Sequence, residues 1–253
     1  MLRTAIVVLA VSVGMVACGD DLNGSDPSTP PPEAGAVTLT YEFEGGSDGW
    51  ASEITDYTEA TRPEDALSET GVSPPGIDAG SDFFHLAASN PSDDVFAYLL
   101  REVTDAGLEA GRTYTVDVTV RFASSAPTGC AGIGGAPGES VYLKVGASPE
   151  QPVPVMQDGQ SRLSVDKGGQ SQGGDAAVVA GTIENGIPCE EALEAERPPY
   201  AMVSLSGALE VTTADDGSVW LFVGTDSGFE GRTSIYYDRL EVTLTPTADG
   251  GGT

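Results

Sequence analysis

The chain is expected to fold as one all-β domain, an antiparallel β-sandwich, over residues 36–246. Three observations carry this. About ten short runs show period-two alternation. Gly, Pro and Asp clusters punctuate them, with 33 Gly and 17 Pro in 253 residues. Helical periodicity is almost absent. A body of roughly 210 residues is ample to bury one core.

Taken in order, Val37–Phe43 places Val37, Leu39, Tyr41 and Phe43 on one side and is the first strand. The turn-rich EGGSDGW then leads to Trp50 and a long loop to about Gly80 carrying Pro63, Pro74 and Pro75. A loop of that length is more often functional or partly ordered than empty. Phe83–Ala87 and Val95–Val103 read as strands, and Arg112–Phe122 as another, with Val116, Val118, Val120 and Phe122 inward. After a Gly/Pro loop holding Cys130 come Val141–Val145, two short candidates at Val153–Met156 and Arg162–Val165, and Ala176–Ile183. Glu190–Glu196 is the one stretch able to form a short helix. Tyr200–Leu205 and Leu209–Thr213 lead to the closing pair.

That pair, Ser218–Pro246, organises the rest. Trp220 and Phe222 share one face of the first run, and Val219, Leu221 and Val223 the other. In the second run the alternation groups Tyr236, Asp238, Leu240, Val242 and Leu244 on one face, with Tyr237 and Arg239 opposite. A carboxylate in line with an apolar face must be hydrogen-bonded, paired or metal-bound, because an isolated buried charge costs several kcal/mol or more. The connection Gly224–Gly231, GTDSGFEG, reads as a tight turn needing Gly at positive φ, or as a loop whose Asp226 and Glu230 take a cation or a sugar hydroxyl.

The N-terminus addresses the chain. Met1–Ala17 has one Arg, an apolar core and a small residue before Cys18, the pattern of a secretory signal. Met15-Val16-Ala17-Cys18 resembles the lipobox of bacterial lipoproteins. That resemblance implies lipidation of Cys18 and anchoring to a membrane of the bacterial cell envelope by acyl chains alone. Residues 18–35 are small, polar and Pro-rich, a disordered tether, and 247–253 have the composition of a disordered tail.

The formal charge of the whole chain is -28, and removal of the signal leaves 10 basic against 39 acidic side chains. Such a surface excludes nucleic acid as a main partner and favours cations and cationic proteins. Cys130 and Cys189 are an even pair in an exported chain and are expected to form a disulfide. It would close a loop of about 60 residues and contribute roughly 4 kcal/mol in the chain-entropy model. The sole histidine, His85, reads as a strand residue beside Phe83-Phe84. No Ser-His-Asp, HExxH or Cys-His signature is present, so no catalytic residue is assigned.

Three segments, YEFEGGSDGW, GLEAGRTYTVDVTVRF and IYYDRLEV, are together similar to the jelly-roll folds of the galactose-binding-like class, which includes many carbohydrate-binding modules. The resemblance implies a structural calcium near the first and last strands, with Glu44 and Asp238 at the matching positions. It also implies carbohydrate as the ligand class, for which Trp50, Tyr57, Tyr98 and Tyr237 are the aromatic candidates, with Asp226 and Glu230 as polar ones. The expected function is an anchored, non-catalytic binding module. The alternative is a structural or protein-interaction lipoprotein of the envelope with no sugar ligand.

Overall fold

The structure, a computed structural model, describes residues 35–77, 80, 82–92 and 94–248. The expected signal peptide, Cys18, the tether up to residue 34 and the end of the tail lie outside them. Among the described residues no helix is long and apolar enough to cross a membrane.

Two antiparallel sheets form the sandwich. In the first, β12 (Ala201–Thr212), β7 (Thr113–Ser124), β14 (Arg232–Pro246), β5 (Phe83–Ser89) and β4 (Leu67–Val72) lie side by side. Strand β1 (Val37–Glu42) shares an edge of β14 with β5, pairing Val37 with Leu244 and Glu42 with Arg239. The second sheet orders β11 (Ala177–Thr182), β8 (Val141–Ser148), β13 (Val219–Ser227), β6 (Val95–Val103) and β2 (Ala51–Thr55). From β5 to β8, and again from β11 to β14, successive strands alternate between the sheets, the winding of a jelly roll. A third, small sheet joins β3 (Tyr57–Thr58), β10 (Gln160–Leu163) and β9 (Pro154–Gln157).

The core lies between the two large sheets. Tyr41 and Phe43, Val116 to Phe122 of β7, Leu143 and Val145, Val219, Leu221 and Val223 meet there. These are the inward sets expected from the alternation. Helix α1, Cys189–Glu194, falls where the short helix was expected, and Cys130 and Cys189 are joined, their Cα atoms 5.1 Å apart. The disulfide is flanked by Cys189 N–H donating to the Thr128 carbonyl at 2.9 Å, which fixes the Gly/Pro loop against the start of α1.

Three expectations change. The long loop to Gly80 contains β2 and β4, short polar edge strands that extend one sheet each; with little apolar alternation, such edges are weak sequence signals. Glycines 224, 228 and 231 do not adopt positive φ, since β13 runs on to Ser227 and only Gly228–Gly231 connects the pair. Most consequential is a bulge in β14, where the register shifts between Tyr237 and Arg239. One extra residue reverses the parity. Ile235 and Tyr237 therefore face the core together with Leu240, Val242 and Leu244, and Tyr236 faces out. Asp238, the inserted residue, is not in the apolar stripe; its Oδ2 pairs with Arg121 Nε at 3.2 Å.

Candidate functional site

The outer face of the second sheet is where the sequence departs from a solvated sandwich. Strands β6 (VFAYLLREV) and β13 (VWLFVGTDS) are apolar at both parities over most of their length, the signature of strands covered on both faces. One parity enters the sandwich core. The other places Phe96, Tyr98, Leu100 and Phe222 on the outer face, where Leu163, Val165, Ala176 and Ala177 pack over them. The cover is the chain between β8 and β11, built on the hairpin β9–β10. Phe96 and Tyr98 stack with ring centroids 5.0 Å apart, and Phe222 meets both edge-on. Gly146 and Gly224 permit this packing: a Cβ on Gly146 would lie 2.1 Å from Phe222 Cζ, and one on Gly224 2.5 Å from the Tyr98 Cβ.

Beyond the aromatic layer the same face carries charge. Lys144 of β8 and Asp226 of β13 are fully buried, with Lys144 Nζ 2.9 Å from Asp226 Oδ2. Lys167, from the cover, places its Nζ 2.6 Å from the same oxygen and 2.7 Å from Asp56 Oδ2, and lies over the Phe96 ring at 5.1 Å. Lys144 also donates to the carbonyls of Lys167 at 2.9 Å, of Gln172 at 3.0 Å and of Gly169. Its ammonium thus ties the cover to the sheet. Asp56 sits between β2 and β3 with φ 66, a left-handed conformation uncommon outside glycine, while its N–H donates to the Ser161 carbonyl at 2.8 Å. Asp94, half-buried before β6, completes a set of three carboxylates whose oxygens lie within 4.8 Å of one another.

The electrostatics follow from burial. Asp94 is pushed up to about 7, first by burial and then by the Asp226 and Asp56 carboxylates. Burial also raises Asp56 against the pull of Lys167, and lowers Lys144 against the pull of Asp226. With Asp94 protonated, two carboxylates balance two ammonium groups, so the cluster is neutral as a buried set must be. Two of these three carboxylates, Asp56 and Asp226, share the Lys167 ammonium. A polar cavity of about 270 Å³, lined by Asp56, Asp94, Arg162 and Lys167, opens onto the cluster.

At the other end of the face is a groove of about 390 Å³, lined by Trp220, Glu53, Glu102, Gln151 and Arg101. Trp220 is half-buried against the aromatic layer.

The residues expected to bind ligand are dispersed. Trp50 and Tyr237 are buried in the core, Trp50 edge-on to Tyr41 at 5.4 Å. Tyr98 is buried under the cover, its hydroxyl donating to the Pro152 carbonyl at 3.4 Å. Burial raises both tyrosines, and neither ring, nor that of Trp50, is available as an exposed platform. Asp226 is the hub of the lysine cluster. Glu230 is half-buried in the β13–β14 connection, its N–H donating to the Ile133 carbonyl at 2.8 Å. Tyr57 is half-exposed and lines a cavity of about 250 Å³ with Arg62, whose guanidinium lies 5.9 Å from its ring. Glu44 is exposed in the turn after β1, while Asp238 is neutralised by Arg121.

Sequence reading missed Lys144, Lys167, Asp56, Asp94 and Trp220. A signal was present: Lys144 and Lys167 are the only lysines in the chain. A protein with 39 acidic side chains that confines both lysines to one buried cluster uses them for something other than surface charge.

No protein-family model matches the chain, and no curated protein does. Among solved structures, the chain is similar to the CBM22-1 xylan-binding domain of Xyn10C from Paenibacillus barcinonensis, at 10% identity and TM-score 0.39, covering 83% of this chain and 95% of that one. A second xylan-binding CBM 22 domain matches at 15% identity and TM-score 0.38, covering 86% and 99%. A cyclase from Fischerella sp. TAU matches at 14% identity and TM-score 0.37, covering 84% and 99%. These names differ in chemistry and do not choose among functions for this chain.

Proposed function

We propose that this protein is a lipid-anchored lipoprotein of the bacterial cell envelope, held through Cys18, whose sandwich is a non-catalytic binding module for carbohydrate. The observation that carries the ligand class is the groove at Trp220. A half-buried indole stands beside two carboxylates, Glu53 and Glu102, and the amide of Gln151. Sugars present apolar C–H faces that pack on aromatic rings and hydroxyls that bond to carboxylates and amides, and this lining supplies both. Tyr57, at the neighbouring cavity that shares Glu53, is a secondary contact.

The test is titration of the full chain against a panel of neutral and anionic polysaccharides, with Trp220→Ala alongside. Saturable binding weakened by about 2 kcal/mol in the variant, the loss of an aromatic anchor, would support the reading. No binding across the panel, or binding that Trp220→Ala leaves unchanged, would overturn it. The net charge favours a second reading, a module that holds a cationic envelope protein. Salt-sensitive capture of such a protein with no sugar bound would replace the first.

A further inference from the structure

The lysine cluster has the parts of a bond-forming site. Lys167 Nζ approaches Asp226 Oδ2 at 2.6 Å in a pocket where Asp226 has no exposed surface and the Phe96 ring closes one side. Lys144 Nζ, 2.9 Å from that same Oδ2, polarises the carboxyl. Asp56 contacts Lys167 Nζ, and a third carboxyl, Asp94, stands among the acidic oxygens. Asp226 Oδ1 is buried with no hydrogen-bond partner on the protein.

We propose that Lys167 and Asp226 condense into an intramolecular side-chain amide that covalently staples the cover to strand β13. The ammonium of Lys167 passes a proton to Asp56, and the amine so freed attacks Cγ of Asp226. Charge that develops on Oδ2 is stabilised by the Lys144 ammonium. The C–Oδ1 bond breaks as Asp94 donates a proton to Oδ1. The second proton of the departing water comes from the nitrogen, which keeps one hydrogen, and Asp56 returns its proton to Asp94. Ammonium and carboxylate yield amide and water with no oxidant, reductant or further reactant. Burial raises Asp56 and pushes Asp94 up to about 7, which suits Asp94 to giving a proton near neutral pH. Burial lowers Lys144, whereas at Lys167 the Asp226 and Asp56 carboxylates outweigh burial and raise it; Lys144 is set aside as the nucleophile on geometry, because its hydrogens are committed to three carbonyls of the cover as well as to Asp226.

Mass spectrometry of the reduced, trypsin-digested full chain tests this. Arg197 precedes Pro198, so the fragment ending at Arg232 begins at Gly168 if Lys167 is free and at Leu163 if it is blocked. The expected result is the longer fragment, one water lighter than its sequence. Amine acylation of the unfolded chain should then label Lys144 and not Lys167. Asp226→Asn should still react, its fragment lighter by one ammonia. Asp226→Ala, Lys167→Arg and Asp94→Asn should have the full mass. A wild-type fragment cut after Lys167 at full mass, with both lysines taking label, would overturn the proposal even if every variant failed to fold. A blocked Lys144 in place of Lys167 would overturn the assignment.

Discussion

The two sheets of this sandwich turn opposite outer faces to their surroundings. The first sheet leaves much of its face open. Its polar groups pair as neutral or half-exposed partners, such as Thr113 with Thr212 at 2.9 Å and Thr119 with Ser206 at 2.9 Å. Its most organised cluster is His85, stacked on Tyr236 at 3.8 Å, with Nδ1 3.0 Å from Glu69 Oε1 and Nε2 2.9 Å from Ser234 Oγ. The second sheet is roofed, and its polar groups are full charges that balance internally. Water can repair a lost partner on the first face, whereas on the second a lost partner leaves a charge in a dry site.

The largest effect that would sharpen this contrast is Asp226→Ala. Removing the hub strands Lys144 and Lys167, and the variant should lose about 3–5 kcal/mol in denaturant unfolding; a loss near that of a surface change would break the comparison. Next is Gly146→Ala. Its methyl would meet the Phe222 ring, and overpacking of this kind should cost about 1–3 kcal/mol. An unchanged melting temperature would mean the aromatic layer is loosely held.

The pH response should be a smaller separation between the faces. Asp94 is raised in the folded chain from 3.8 to about 7, so the native state holds a proton that the unfolded chain releases. Its contribution is therefore present at acid pH and declines as pH rises between those values. Asp94→Asn should flatten that slope in melting temperature against pH, and a slope unaltered in the variant would assign it to other groups. The smallest effect is on the open face. Ser234→Ala removes the part-buried hydrogen bonds of its hydroxyl to His85 and Tyr200 and should cost about 1 kcal/mol.

Much of the sandwich was legible because its strands obey a simple period. Val95–Val103 matches β6 in both limits, and the inward set of β7 follows from alternation alone. The bulge at Asp238 was not legible, because a one-residue insertion leaves the residues on either side alternating as before. The candidate site was less visible still. Asp226 looked like a loop residue in a glycine-rich run, although continued parity from Trp220 and Phe222 places it on the outer face of β13. The cover between β8 and β11 has few apolar residues, so its role appears only once both faces of β6 and β13 need burial. Charged residues meeting across Asp56, Lys144, Lys167 and Asp226 are far apart in the chain, and pairings of that kind carry no local pattern.

Both lysines are locked where the cover meets the second sheet, and their reactivity in the native state tests this most directly. Brief acylation of the folded chain should leave Lys144 and Lys167 without label, and unfolding should open Lys144 to the reagent. Rapid labelling of either lysine in the folded protein, at the rate of a free amine, would contradict the account.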